Sequence, residues 1–302
     1  TESLDNVIDT AEQEENLGSN VDYLKAVKEE QSRQLAAFYT EQSGLCGETL
    51  NRYIQYREET EELVEDLIEF FVQKFSLDVD FDFSRNQRHG NRLQNDWTHK
   101  LIGLKNDNII ISPTIFERRI MPKNTQFVWS VIIDNSASCS GEIIKEEKKA
   151  ALALIEVAKR LEIPLEILVF GDKDNYTFLK TFDMELYGDH LAAIINLDAD
   201  NGTPDVATLE AACTSINNYV LQFNRSCNFV YFMTDGKSGS GSIQSVIRRH
   251  RRETVITGIG LAEAADSIKV TWGRNGIGVK KIKDLGSTLI RKIEYQIEDV
   301  LD

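Results

Sequence analysis

The sequence predicts an α/β fold: a doubly wound, mostly parallel sheet with helices on both faces, preceded by an α-helical N-terminal region. Three observations carry this. From Phe127 onward short apolar runs alternate with amphipathic segments, and the connections between them are short. The first run, residues 127–133, is apolar almost throughout, as in a strand buried on both faces. Repeated strand–helix units of this kind build a parallel sheet covered by helices.

Taken in order, residues 1–20 have few apolar side chains and no period, and read as a flexible acidic leader. Residues 21–123 form a helical N-terminal region and connector. In it Leu50, Tyr53, Ile54, Leu63, Val64, Leu67, Ile68, Phe71, Val72 and Phe75 follow three- and four-residue steps, with glutamates between them. Gly44 and Gly47 separate this helix from an earlier one over 23–40. The connector, 78–123, is arginine-rich with short β-like pieces such as 109–111. Residues 124–302 then hold strands at 127–133, 165–170, 176–182 (an edge strand), 228–233, 254–259 and 279–282. Helices are expected at 143–161, 205–221, 243–251 and 285–301.

The net charge of −15 is unevenly spread. Residues 1–84 hold 21 acidic against 6 basic side chains, while the remaining 218 residues hold 28 of each. An acidic N-terminal segment argues against nucleic acid as its partner. No apolar run is long enough to span a membrane. Cys46, Cys139, Cys213 and Cys227 are widely spaced and form no C-x-x-C pair, so they read as free thiols of an intracellular, cytoplasmic protein.

Ligands of doubly wound sheets bind at the carboxyl ends of the strands. Three segments there carry oxygen donors. The first strand runs into Asp134-Asn135-Ser136-Ala137-Ser138, a D-x-S-x-S sequence. The loop before the central helix reads Asn201-Gly202-Thr203-Pro204-Asp205, and the strand at 228–233 ends in Thr234-Asp235-Gly236. Two carboxylates with several neutral hydroxyls suit a hard divalent ion such as Mg²⁺, which takes about six oxygens and keeps some as water. So few protein charges leave the ion electrophilic, with a position open to a partner's Asp or Glu.

In order and placement these segments resemble the metal-ion-dependent adhesion site (MIDAS) of von Willebrand factor A (VWA) domains. The resemblance implies Asp134, Ser136, Ser138, Thr203 and Asp235 as ligands of Mg²⁺ or Mn²⁺, directly or through water. Asn135, Cys139, Gly202, Asp205, Gly236 and Lys237 would lie at the partner-binding surface around the ion. Cys139 departs from the Met that many relatives carry there. Ile132-Ile133-Asp134-Asn135-Ser136, Gly202-Thr203-Pro204-Asp205 and Thr257-Gly258-Ile259-Gly260-Leu261 look most like the ATPase-associated VWA group. Upstream, Arg88-x-Gly90-x-x-Leu93 and Ile115-Phe116-x-Arg118 fit the same group. That group includes the cobaltochelatase CobT-type subunit, midasin and the VWA partners of MoxR-type ATPases. The implied function is a non-catalytic, metal-dependent interaction module working beside an AAA+ ATPase.

Other readings stay open on the residues alone. D-x-S-x-S is also a common turn and helix-cap sequence. A cobalt or magnesium chelatase subunit, an extracellular adhesion domain and a metal-dependent hydrolase with Asp205 as base are the functional alternatives. Gly236 to Gly241 lacks the phosphate-loop spacing and reads as a flexible loop. Arg248-Arg249-His250-Arg251-Arg252 reads as a solvated basic face or a contact for an acidic partner. Residues 1–84 are expected to be dispensable for metal binding.

Overall fold

A computed structural model describes residues 33, 36–77, 82–87, 92–93, 116–120, 126–171, 175–222, 226–237 and 242–301. The leader, most of the early helix over 23–40, the β-like piece at 109–111 and the loop after Lys237 lie outside the described residues.

Residues 36–43 are helical, and α1 (Gly47–Leu77) follows. Strands β1 (Asp82–Gln87), β2 (Arg92–Leu93) and β3 (Phe116–Ile120) form a small antiparallel sheet in the order β1-β3-β2. The main sheet is built from β4 (Gln126–Ile133), β5 (Leu165–Phe170), β6 (Tyr176–Lys180), β7 (Ser226–Met233), β8 (Thr254–Leu261) and β9 (Gly276–Val279). Its order is β6-β5-β4-β7-β8-β9, with every pairing parallel except β5–β6. Numbered within the sheet, that is 3-2-1-4-5-6, the doubly wound order of Rossmann-like folds, with the reversal of direction beside β4. Helices α2 (Glu142–Arg160), α3 (Gly188–Ile195), α4 (Asp205–Val220), α5 (Ile243–His250), α6 (Ile268–Trp272) and α7 (Leu285–Leu301) complete the α/β architecture.

The strand period of two sorts the apolar side chains onto two faces. Trp129, Val131, Ile133, Phe229, Tyr231 and Met233 join one core with α1, α2, α3 and α7. Ile132, Val230 and Phe232 join a second core with α4, α5 and α6. The apolar run at 127–133 is therefore continuous because both its faces are covered. Helix α1 belongs to the first core: Leu63 and Leu67 are buried, and the Phe71 ring lies 5.1 Å from Trp129. An ion pair of 2.6 Å between Arg57 and Glu156 also ties α1 to α2.

One strand lies three residues earlier than expected. The last strand is Gly276–Val279, and residues 282–284 form a 3-10 turn instead. Gly276 and Gly278 hide the strand from an apolar-periodicity reading, yet both are required by the close approach of α6 and its preceding turn.

Candidate metal centre

Parallel pairing brings the site together. Ile133 of β4 sits in register with Met233 of β7, and the Asp134 amide continues the ladder to the Met233 carbonyl at 3.0 Å. The residues just past each strand end, Asp134 and the Thr234-Asp235 pair, are thereby placed side by side. Asp134 is fully buried and Asp235 is 2% exposed. Gly236, at φ +79°, turns the chain away; a Cβ there would meet Ile268 Cα at 2.9 Å.

Asp134 is held at both oxygens. The Ser136 amide donates to Oδ1 at 2.9 Å, and the Thr234 hydroxyl donates to Oδ2 at 2.7 Å. Burial, with the negative charge of Asp235 adding to it, pushes the Asp134 carboxyl above its ordinary range, against the hydrogen bonds that lower it. At Asp235 the Lys237 amide donates to Oδ1 at 2.8 Å, and the Lys237 ammonium lies 2.9 Å from Oδ2. That ammonium is exposed, so it is a loosely held counter-charge to a buried carboxylate.

The neighbouring donors are packed close. The Ser136 and Ser138 hydroxyls are 3.1 Å apart, and Ser136 Oγ lies 3.7 Å from Cys139 Sγ. Asp134, Cys139 and Asp235 each offer one ligand atom within 4.8 Å of the others. The Asn201 loop is fastened beside them: Ser136 and Asn201 form an isolated parallel bridge, and Asn201 Nδ2 donates to the Phe170 carbonyl at 3.1 Å. Gly202 and Thr203, next on this loop, are half-buried. Asp205 is buried in the first turn of α4, where a carboxylate meets the positive end of the helix dipole. Asn135 is buried, and its Nδ2 donates to the Asp198 carbonyl at 3.4 Å.

Two participants were missed in the sequence. Thr234 anchors Asp134, and its signal was its place directly before Asp235. Glu147 on α2 is fully buried; among the described residues neither carboxylate oxygen has a hydrogen-bond partner of standard geometry, and the Cys139 thiol is the neighbour that favours its charged form. Burial and then the charges of Asp134 and Asp235 push its carboxyl well above the ordinary range. Continuing the apolar stripe of α2 backwards from Leu154, Ala151 and Ala150 reaches Glu147 among Ile143 and Ile144. A carboxylate on a buried stripe was the available signal.

All four cysteines are free thiols: Cys46 exposed, the other three buried. Burial and the nearby Glu147 and Asp134 charges push the Cys139 thiol up. Among the described residues no helix is long and apolar enough to cross a membrane.

The donor set fits a divalent cation: two buried carboxylates, two hydroxyls and a thiol lie close together, with one exposed ammonium as counter-charge among the described residues. No family model and no curated protein matches the sequence. Among solved structures the chain is similar to proximal thread matrix protein 1 from the mussel byssus. The crystal form 2 structure matches at 15% identity, TM-score 0.44, over 58% of this chain and 48% of that one. A structure of the same protein with a zinc-occupied MIDAS motif matches at 16% identity and TM-score 0.44, over 56% and 48%. A third matches at 16% identity and TM-score 0.44, over 56% and 47%. This chain thus spans about half the length of those it resembles.

Proposed function

We propose that this chain is a non-catalytic, metal-dependent protein-interaction module of the VWA type. The observation that carries the reading is the convergence of buried Asp134 and Asp235 at the carboxyl edge of the sheet, within 4.8 Å of each other and of Cys139. Asp134, Ser136, Ser138, Thr203 and Asp235 would hold the ion. Oxygen donors of this kind favour Mg²⁺ or Mn²⁺. The Cys139 thiol beside them adds a softer donor that favours zinc. When bound, the ion supplies positive charge and an open coordination position for a partner's Asp or Glu.

The chain's own residues prepare that site. Thr234 and the Ser136 amide fix the Asp134 carboxylate before any ion arrives, which lowers the ordering cost of binding. Asn201 locks the Thr203 loop against the D-x-S-x-S turn. Lys237 neutralises Asp235 from the solvent side and can swing away, because a long exposed side chain is held weakly. The partner class that the motif resemblance supports is an AAA+ ATPase of an intracellular complex, met through one of its acidic side chains.

Capture from source extract tests this. The wild-type chain with Mg²⁺ or Zn²⁺ is expected to retain a partner that EDTA releases, and Asp134→Ala is expected to retain none. Capture indifferent to both EDTA and the substitution would refute the metal bridge.

A further inference from the structure

A cavity of about 560 Å³ opens at the amino end of β8, whereas the metal-centre residues lie beyond the carboxyl ends of β4 and β7. Its apolar floor includes Ile247 and Val255. Around it stand Arg248, Arg251, Arg252, Arg274, Lys292 and the half-exposed ring of Tyr295. Among the described residues, no carboxylate lines it.

The basic run of α5 divides here. Arg249 and His250 turn to Glu210 on α4, at 2.7 and 3.2 Å. Arg248, Arg251 and Arg252 turn to the cavity instead, and among the described residues neither they nor Arg274 make an ion pair. Cations at the end of a helix are favoured by its dipole, which accounts for the α5 side chains. It does not account for Arg274, from the turn after α6, or for Lys292, from α7. Lys292 donates to the Arg274 carbonyl and lies 5.8 Å from the Tyr295 ring centre. Five cations from three separate elements thus surround one hollow in a chain whose net charge is −15.

The four arginines, which make no ion pair among the described residues, repel one another, and an anion in the hollow would relieve that cost. Guanidinium forks match phosphate oxygens in pairs, which a carboxylate-free wall leaves them free to do. The volume falls in the range of roughly 300–1,000 Å³ common for small-ligand sites. We propose that this cleft binds a phosphate-bearing ligand, with its phosphate on the arginine rim. Tyr295 and the apolar floor offer a surface for a ring, so the phosphate can belong to a nucleotide or stand free.

Titration calorimetry of the whole chain with pyrophosphate and with ATP, in EDTA, tests this. The chelator keeps phosphate away from any ion at Asp134 and Asp235. The expected result is saturable binding that weakens with salt and falls at least tenfold in the exposed double variant Arg251→Ala/Arg274→Ala. Tighter ATP binding that Tyr295→Ala reduces to the pyrophosphate level identifies a nucleotide; equal affinities identify the phosphate group alone. Failure of both probes to bind, or equal binding by the folded double variant, overturns the proposal.

Discussion

Glu166 lies on β5 with no exposed surface, facing the Ser215 hydroxyl, which donates to it at 2.6 Å. Burial raises its carboxyl to about 7, against the lowering effect of Ser215, Ser130 and the Lys180 charge. The folded chain therefore holds this proton more tightly than the unfolded chain does. The stabilisation is complete below the ordinary value of 4.5 and is lost as pH rises through about 7. Glu166→Gln keeps the site neutral throughout. Its stability relative to wild type is expected to improve between about pH 5 and about pH 8, by on the order of 3 kcal/mol. Urea denaturation at each pH measures this; parallel pH curves for the two proteins would contradict it.

Among single residues, the parts of the candidate metal site that the sequence singles out are those that are contiguous or follow a strand end. Asp134, Ser136, Ser138 and Asp235 stand out because a motif and a strand boundary coincide. Thr234 and Glu147 did not, since their roles come from register and from a helix face packed over the site. Cys139, placed by the resemblance at the surface around the ion, has its thiol within 4.8 Å of a carboxylate oxygen of both Asp134 and Asp235. The split of the α5 basic run was also invisible, because it depends on which elements flank each side of the helix.

Among the elements, the β8–α6–β9 corner depends on missing side chains. A Cβ on Gly278 would come within 1.8 Å of the Ala265 carbonyl oxygen, and one on Gly258 within 2.2 Å of the Trp272 ring. This gives a packing reason for the Thr257-Gly258-Ile259-Gly260-Leu261 segment. Gly278→Ala forces backbone apart and is expected to destabilise by at least about 2 kcal/mol in chemical denaturation; a change within error would mean this corner yields freely. Helix α1 presents the opposite case, an element whose side chains fill a core. It was readable as amphipathic, but not what it covers, because that partner is remote in sequence. Leu63, Val64, Leu67 and Phe71 are buried against the sheet and its helices. Each such side chain contributes roughly 1.5–3 kcal/mol, and a domain has only about 5–15 kcal/mol in all. Deleting residues 1–84, expected from sequence to be harmless for metal binding, is now expected to abolish cooperative thermal unfolding. A truncated chain that melts cooperatively near the wild-type temperature would show that α1 only rests on the domain.

For the whole molecule, the doubly wound, mostly parallel architecture was legible because apolar strands and amphipathic helices alternate, whereas the strand order emerges only from the pairing in the fold. The order in turn sets both chemical poles. The carboxyl edge gathers buried acids, and the amino end of β8 gathers arginines that make no ion pair among the described residues, within one chain of net charge −15. An overall charge therefore says little about either site. Whether Asp134 and Asp235 hold an ion is decided by calorimetric titration of the purified whole chain with Mg²⁺, Mn²⁺ and Zn²⁺, beside the folded double variant Asp134→Ala/Asp235→Ala. One ion bound per chain by wild type and none by the variant is the predicted result. Absence of binding by wild type, or binding that survives loss of both carboxylates, would contradict it.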